Sequence, residues 1–157
     1  MRDRAEGGRA RLRGLWALHR RLDGLLMRLD LREALALAES MVEQAGRAPS
    51  HTGASALALC ALAHVQTRQE RLAEAMATAA RAVQAARRSR DRDVLALALL
   101  RQATAGQQAQ PDVAAAQAEE ATRLFESLGD TALEGQALRV LGAVHIARED
   151  SAAHRAL

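Results

Sequence analysis

The side chains best equipped for chemistry in this 157-residue chain are five histidines (His19, His51, His64, His145 and His154) and a single cysteine, Cys60. Cys60 and His64 stand four residues apart. On a helix that spacing places both on one face, where they could offer two ligands to a metal such as zinc. A zinc site needs three or four ligands, and no paired histidines or HExxH arrangement supplies the others. The histidines are therefore expected to pack or to line a groove, and no metal or other cofactor is expected. The chain has no Gly-rich phosphate loop, nucleophile elbow or paired-carboxylate motif, so it is read as non-enzymatic.

Charge is the second chemical resource. All 22 basic residues are Arg, with no Lys or Asn, a usage typical of GC-rich codons. Net charge is only +3, but residues 1–28 carry eight Arg against Asp3, Glu6 and Asp23, and residues 111–157 carry four Arg against eight carboxylates. A basic start could touch nucleic acid. Aromatic residues for base stacking are nearly absent, however, and a nucleic-acid partner is not expected. "RRSRDR", Arg87 to Arg92, falls at an expected helix end, where cations suit the dipole without any ligand.

These groups must be positioned by helices. Ala and Leu dominate the apolar residues, with one Trp, one Phe and no Tyr. That composition favours helix and disfavours strand. The lone cysteine excludes an internal disulfide framework. No secretory signal is evident, and no uncharged run reaches the ~18–20 residues of a membrane span. A soluble cytoplasmic protein is expected.

Punctuation divides the chain into seven helices. The first covers residues 9–28, with Leu15, Leu18, Leu22, Leu25 and Leu26 in one stripe. Asp30 with Glu33 reads as a capping box for the second, and Gly46 as its left-handed stop. The loop "RAPSHTG" precedes a third helix over residues 53–69 and a fourth over 72–88. Asp91 or Asp93 caps a fifth over 94–107, and Pro111 opens a sixth. Gly129 ends the sixth, and Thr131 with Glu134 reads as the capping box of the seventh.

The segments repeat. "LREA", "LAEA" and "PDVA" open the even helices and end at Ala34, Ala75 and Ala114, a period near 40 residues. "LCALAHV" and "LRVLGAVH" place Leu62–Ala63 and Leu141–Gly142 about two periods apart. Ala63, Ala75, Ala82 and Gly142 would let paired helices approach closely. With Leu59, Leu62, Leu72, Glu74, Leu138 and His145 in matching order, the chain resembles the tetratricopeptide repeats in their longer, ~40-residue form. The family's aromatic positions hold Leu, Ala, Gln or His here.

That resemblance implies an all-α solenoid of antiparallel helix hairpins. Residues 1–8 would be a flexible N-terminus and 9–157 the repeat domain, with repeats at 10–48, 51–90, 91–129 and an incomplete 131–157. His145 would pack where the family carries Tyr. The second helix of the last hairpin would begin near "SAAHRAL", and a fragment of a longer array is favoured over a capped end. The Leu138, Leu141 and Val144 stripe would then be exposed and available for self-association.

In such an array the first helix of each hairpin lines a concave groove. Carried over position by position, the groove residues are Trp16, His19 and Asp23; Cys60, His64 and Thr67; Leu100, Thr104 and Gln107; and Gln136, Arg139 and Ala143. The implied function is a protein-interaction scaffold that holds a peptide or helix of another protein. The alternative is a regulatory or oligomerisation segment of a larger assembly. The family's carboxylate-binding members use Lys and Asn, both missing here, although Arg139 could hold one carboxylate.

Overall fold

The computed structural model describes residues 2–48 and 51–156. Met1, Pro49, Ser50 and Leu157, from the expected N-terminus, "RAPSHTG" loop and last repeat, lie outside the described residues. Seven helices make up the fold: α1 (Arg2–Met27), α2 (Leu31–Gly46), α3 (Thr52–Arg68), α4 (Leu72–Ser89), α5 (Arg92–Gly106), α6 (Pro111–Leu128) and α7 (Thr131–Arg155). No strand occurs among the described residues. The helices α2, α4 and α6 start at residues 31, 72 and 111, and α3, α5 and α7 at 52, 92 and 131, so the period near 40 is a structural one.

Each helix packs on the next in the chain. The odd helices also pack side by side, α1 on α3, α3 on α5 and α5 on α7, whereas α2, α4 and α6 stay apart. Successive hairpins therefore stack through their first helices. The sequence explains this division. α2, α4 and α6 each bury a narrow alanine stripe: Ala34, Ala38 and Ala45; Ala75, Ala79, Ala82 and Ala86; Ala114, Ala118 and Ala121. One buried stripe suits a helix with one wet face. α3 and α5 are apolar nearly all round, and Leu57, Leu97, Leu99 and Leu100 are sealed from solvent. Phe125 is the bulkiest fully buried side chain among the described residues. Val83, Leu95 and Leu133 touch both the α1–α5 core and the α5–α7 core, joining them into one.

The turns share a device. Leu29, Glu70, Arg90 and Gly129 adopt left-handed φ values of 60°, 61°, 63° and 73°, each two residues before the next helix. At Gly129 the motif is complete: its N–H bonds the Glu126 carbonyl at 3.1 Å and the Asp130 N–H bonds that of Phe125 at 3.0 Å. Three helices begin with side-chain caps. Asp30 accepts from the Glu33 N–H (3.2 Å), His51 Nδ1 from Ala54 (3.1 Å) and Asp130 from Leu133 (3.1 Å). A Cβ at Gly53 would run into the Asp91 carboxylate, which would have to swing aside.

Several expectations are corrected. α1 starts at Arg2 rather than near residue 9. Gly46 is the last helical residue of α2 and not a left-handed stop; Arg47 follows it in right-handed conformation. The α7 cap is Asp130, one residue before Thr131, because its carboxylate reaches the free Leu133 N–H. "SAAHRAL" opens no new helix, since α7 runs through Ser151 to Arg155. Gly142 meets no neighbour within 4 Å and His145 is exposed, because no described helix packs on that face. Val144, expected in the exposed stripe, is buried in the α5–α7 core. The outward apolar residues of α7 are Leu138 and Ile146.

Candidate functional site

The side-by-side packing of α1, α3 and α5 brings a polar cluster inside an apolar array. His19 and Asp23 lie one turn apart on α1 and share a face. Nδ1 of His19 lies 3.4 Å from one Asp23 carboxylate oxygen, and Nδ1 of His64 lies 3.4 Å from the other. His19 is only 2% exposed, and its ring rests 5.7 Å from that of Trp16. Arg101 enters from α5 and is 5% exposed.

The electrostatics follow from this burial. Burial alone would raise the Asp23 carboxyl, but the approach of His19 and His64, with Arg101 behind them, pulls it well below the usual carboxylate range. Burial and then Arg101 lower His64 to about 4 against the opposing pull of Asp23, so its ring is neutral at pH 7. Burial pushes the Cys60 thiol up to about 12, the Arg101 charge opposing only in part. A thiolate nucleophile is therefore not available there at neutral pH. Burial also weakens the Arg101 cation, which Asp23 and Cys60 favour; a guanidinium stays charged regardless.

In front of this cluster lies a cavity of about 300 Å³ between α3, α5 and α7. Seven of the twelve residues expected in the groove line it: His64 and Thr67, then Leu100, Thr104 and Gln107, then Gln136 and Arg139. His19 and Asp23 sit behind it through the contact with His64. Trp16 lines a second cavity of about 570 Å³, shared with Arg13 and Arg20 of α1, Asp93, Phe125, Leu128, Asp130 and Leu133. Cys60 is wholly buried, which corrects its groove assignment: α3 is covered by neighbours on too many sides for that position to face outward. Ala143 is exposed on α7 and lines neither cavity.

The residues not anticipated are Arg68 and Arg101, which line the smaller cavity beside Arg139. A signal for Arg101 existed: it is the one charge inside the apolar run from Val94 to Ala105. Among the described residues no three His, Cys, Asp or Glu side chains are placed to hold a metal ion. No described helix is long and apolar enough to cross a membrane. Compared with protein-family models, curated proteins and solved structures, the chain matches none.

Proposed function

We propose that the chain is a non-catalytic interaction scaffold of the long tetratricopeptide-like type, holding a peptide or helix of a partner protein in its concave groove. The observation that carries this is the succession of two cavities along α7. One is bounded by Asp130 and Leu133 and the next by Gln136, Arg139 and Val140, so they follow within about two helical turns. The larger has apolar walls in Trp16, Phe125, Leu128 and Leu133, and is also lined by the charged residues Arg13, Arg20, Asp93 and Asp130. An apolar recess with a few charged lining residues suits an anchoring side chain, and Trp is a preferred hot-spot residue. The partner is another protein or another domain of a larger assembly, not a nucleic acid.

Selecting a random peptide library on the intact chain tests the proposal. Peptides that bind in the groove should lose about 30-fold in affinity on Trp16→Ala, measured at a temperature where circular dichroism shows the variant folded. Selected peptides that bind Trp16→Ala and Arg139→Glu as tightly as the native chain would refute it. A second reading, a self-associating regulatory segment, is favoured by the half-exposed Leu138 and more exposed Ile146 of α7. Light scattering on the native chain and on Leu138→Glu/Ile146→Glu separates the two: only a dimer abolished by the substitutions supports self-association.

A further inference from the structure

We propose that the cavity between α3, α5 and α7 is a binding site for a phosphate-type dianion, gripped by Arg68, Arg101 and Arg139. This goes beyond the scaffold reading, since it assigns a ligand chemistry and stands whether or not a peptide occupies the groove.

Three successive odd helices each deliver one arginine to the same 300 Å³ space, and among the described residues no carboxylate lines it. Arg68 and Arg139 are exposed and make no ion pair among the described residues; Arg101 is 95% buried, with no carboxylate within 4 Å of it among those residues. Its Nε has no hydrogen-bond partner among the described residues. The nearest acid, Asp23, is already approached by both His19 and His64. Asp23 compensates Arg101 only in part, so a guanidinium sealed in a cavity wall stays costly unless something anionic completes it.

The wall also says which anion. Thr67 and Thr104 donate their hydroxyl protons to the carbonyls of Ala63 (2.8 Å) and Leu100 (2.7 Å), so they offer no donor to a ligand. Besides the neutral His64 ring, that leaves the three guanidiniums, helped by the Gln107 and Gln136 amides. One carboxylate carries one charge and satisfies a single guanidinium fork. A phosphate monoester carries close to two charges at neutral pH and three terminal oxygens, one for each fork. At about 300 Å³ the cavity is at the small end of ligand sites. It has room for a phosphorylated side chain or a small phosphorylated molecule.

Isothermal titration of the intact chain with inorganic phosphate at pH 7.5 tests this. Saturable one-to-one binding is expected, and displacement by sulfate at concentrations at least about tenfold below those needed with acetate. Arg139→Gln and Arg68→Gln, both at exposed positions, should each weaken phosphate binding at least about tenfold. Arg101→Met should abolish it while the helical circular dichroism persists; if that variant does not fold, the two exposed variants decide. Tighter binding of N-acetyl-O-phosphoserine amide than of ribose 5-phosphate assigns the dianion to a modified protein, and the reverse order to a free small molecule. No saturable phosphate binding, native-like binding by both exposed variants, or acetate competing as well as sulfate would overturn the proposal.

Discussion

Lowering the pH from 7 to 5 should destabilise this chain through one residue, His64. Its folded pKa lies at about 4, below the ordinary 6.5, because burial and Arg101 outweigh the attraction of Asp23. Between those values the unfolded chain takes up a proton that the folded chain refuses, so stability falls as pH falls. The full effect, reached below pH 4, is about 3 kcal/mol; at pH 5 about 2 kcal/mol is already lost. Asp23 does not confuse the measurement. Its depressed pKa contributes stability that is present above the ordinary 3.8 and disappears only below it. Urea denaturation at half-unit steps from pH 7 to 5, on the native chain and on His64→Gln, isolates the His64 share. The native curve should fall by about 2 kcal/mol more than that of the variant. Parallel curves would show that folding does not depress the His64 pKa, and a native chain that gains stability towards pH 5 that the attraction of Asp23 outweighs burial; either result refutes the reasoning.

Other outcomes follow from packing and turn geometry. Phe125→Ala should lower the urea-derived stability by about 3 kcal/mol or more, because Phe125 is the largest sealed side chain among the described residues and helps close the α5–α7 core. Gly53→Ala should cost about 1 kcal/mol by driving a methyl into the Asp91 carboxylate. Asp91→Ala, whose side chain makes no cap bond, should remove most of that penalty in the double variant, a coupling that thermal melts can read. Gly129→Ala should destabilise by about 1 kcal/mol, whereas Arg90→Gly, at the equivalent left-handed turn, should be neutral or stabilising.

The helical class and the 40-residue period were legible because Ala, Leu and turn residues recur at fixed spacing, and α2, α4 and α6 show their phase openly. The phase of α3 and α5 was not legible. A helix apolar on nearly every side has no polar face to set its rotation, which is why Cys60 was placed in the groove and lies in the core. Gly142 and His145 were read through the repeat pattern, and the pattern presumes a helix packed against that face. Caps were legible where the residue type and the free N–H agreed, as at Asp30. They were misassigned by one residue at Thr131, where Asp130 competes successfully for the same turn.

The places where the repeat departs from itself mark the two cavities. Along α2, α4 and α6, Ala45 and Ala86 are followed one period on by Phe125, which walls the Trp16 cavity. Along α3, α5 and α7, buried Ala61 and nearly buried Val140 occupy the register that Arg101 holds between them. Alanine or valine at that position would fill the register without the desolvation cost of a buried guanidinium. Asp23 offsets part of that cost, but the Arg101 Nε has no hydrogen-bond partner among the described residues. Local consistency is broken at functional sites more readily than elsewhere, and here the break falls where three first helices converge on one cavity. The energetic cost of Arg101 is thus the physical reason to look for an anion in that cavity before any other site on the molecule.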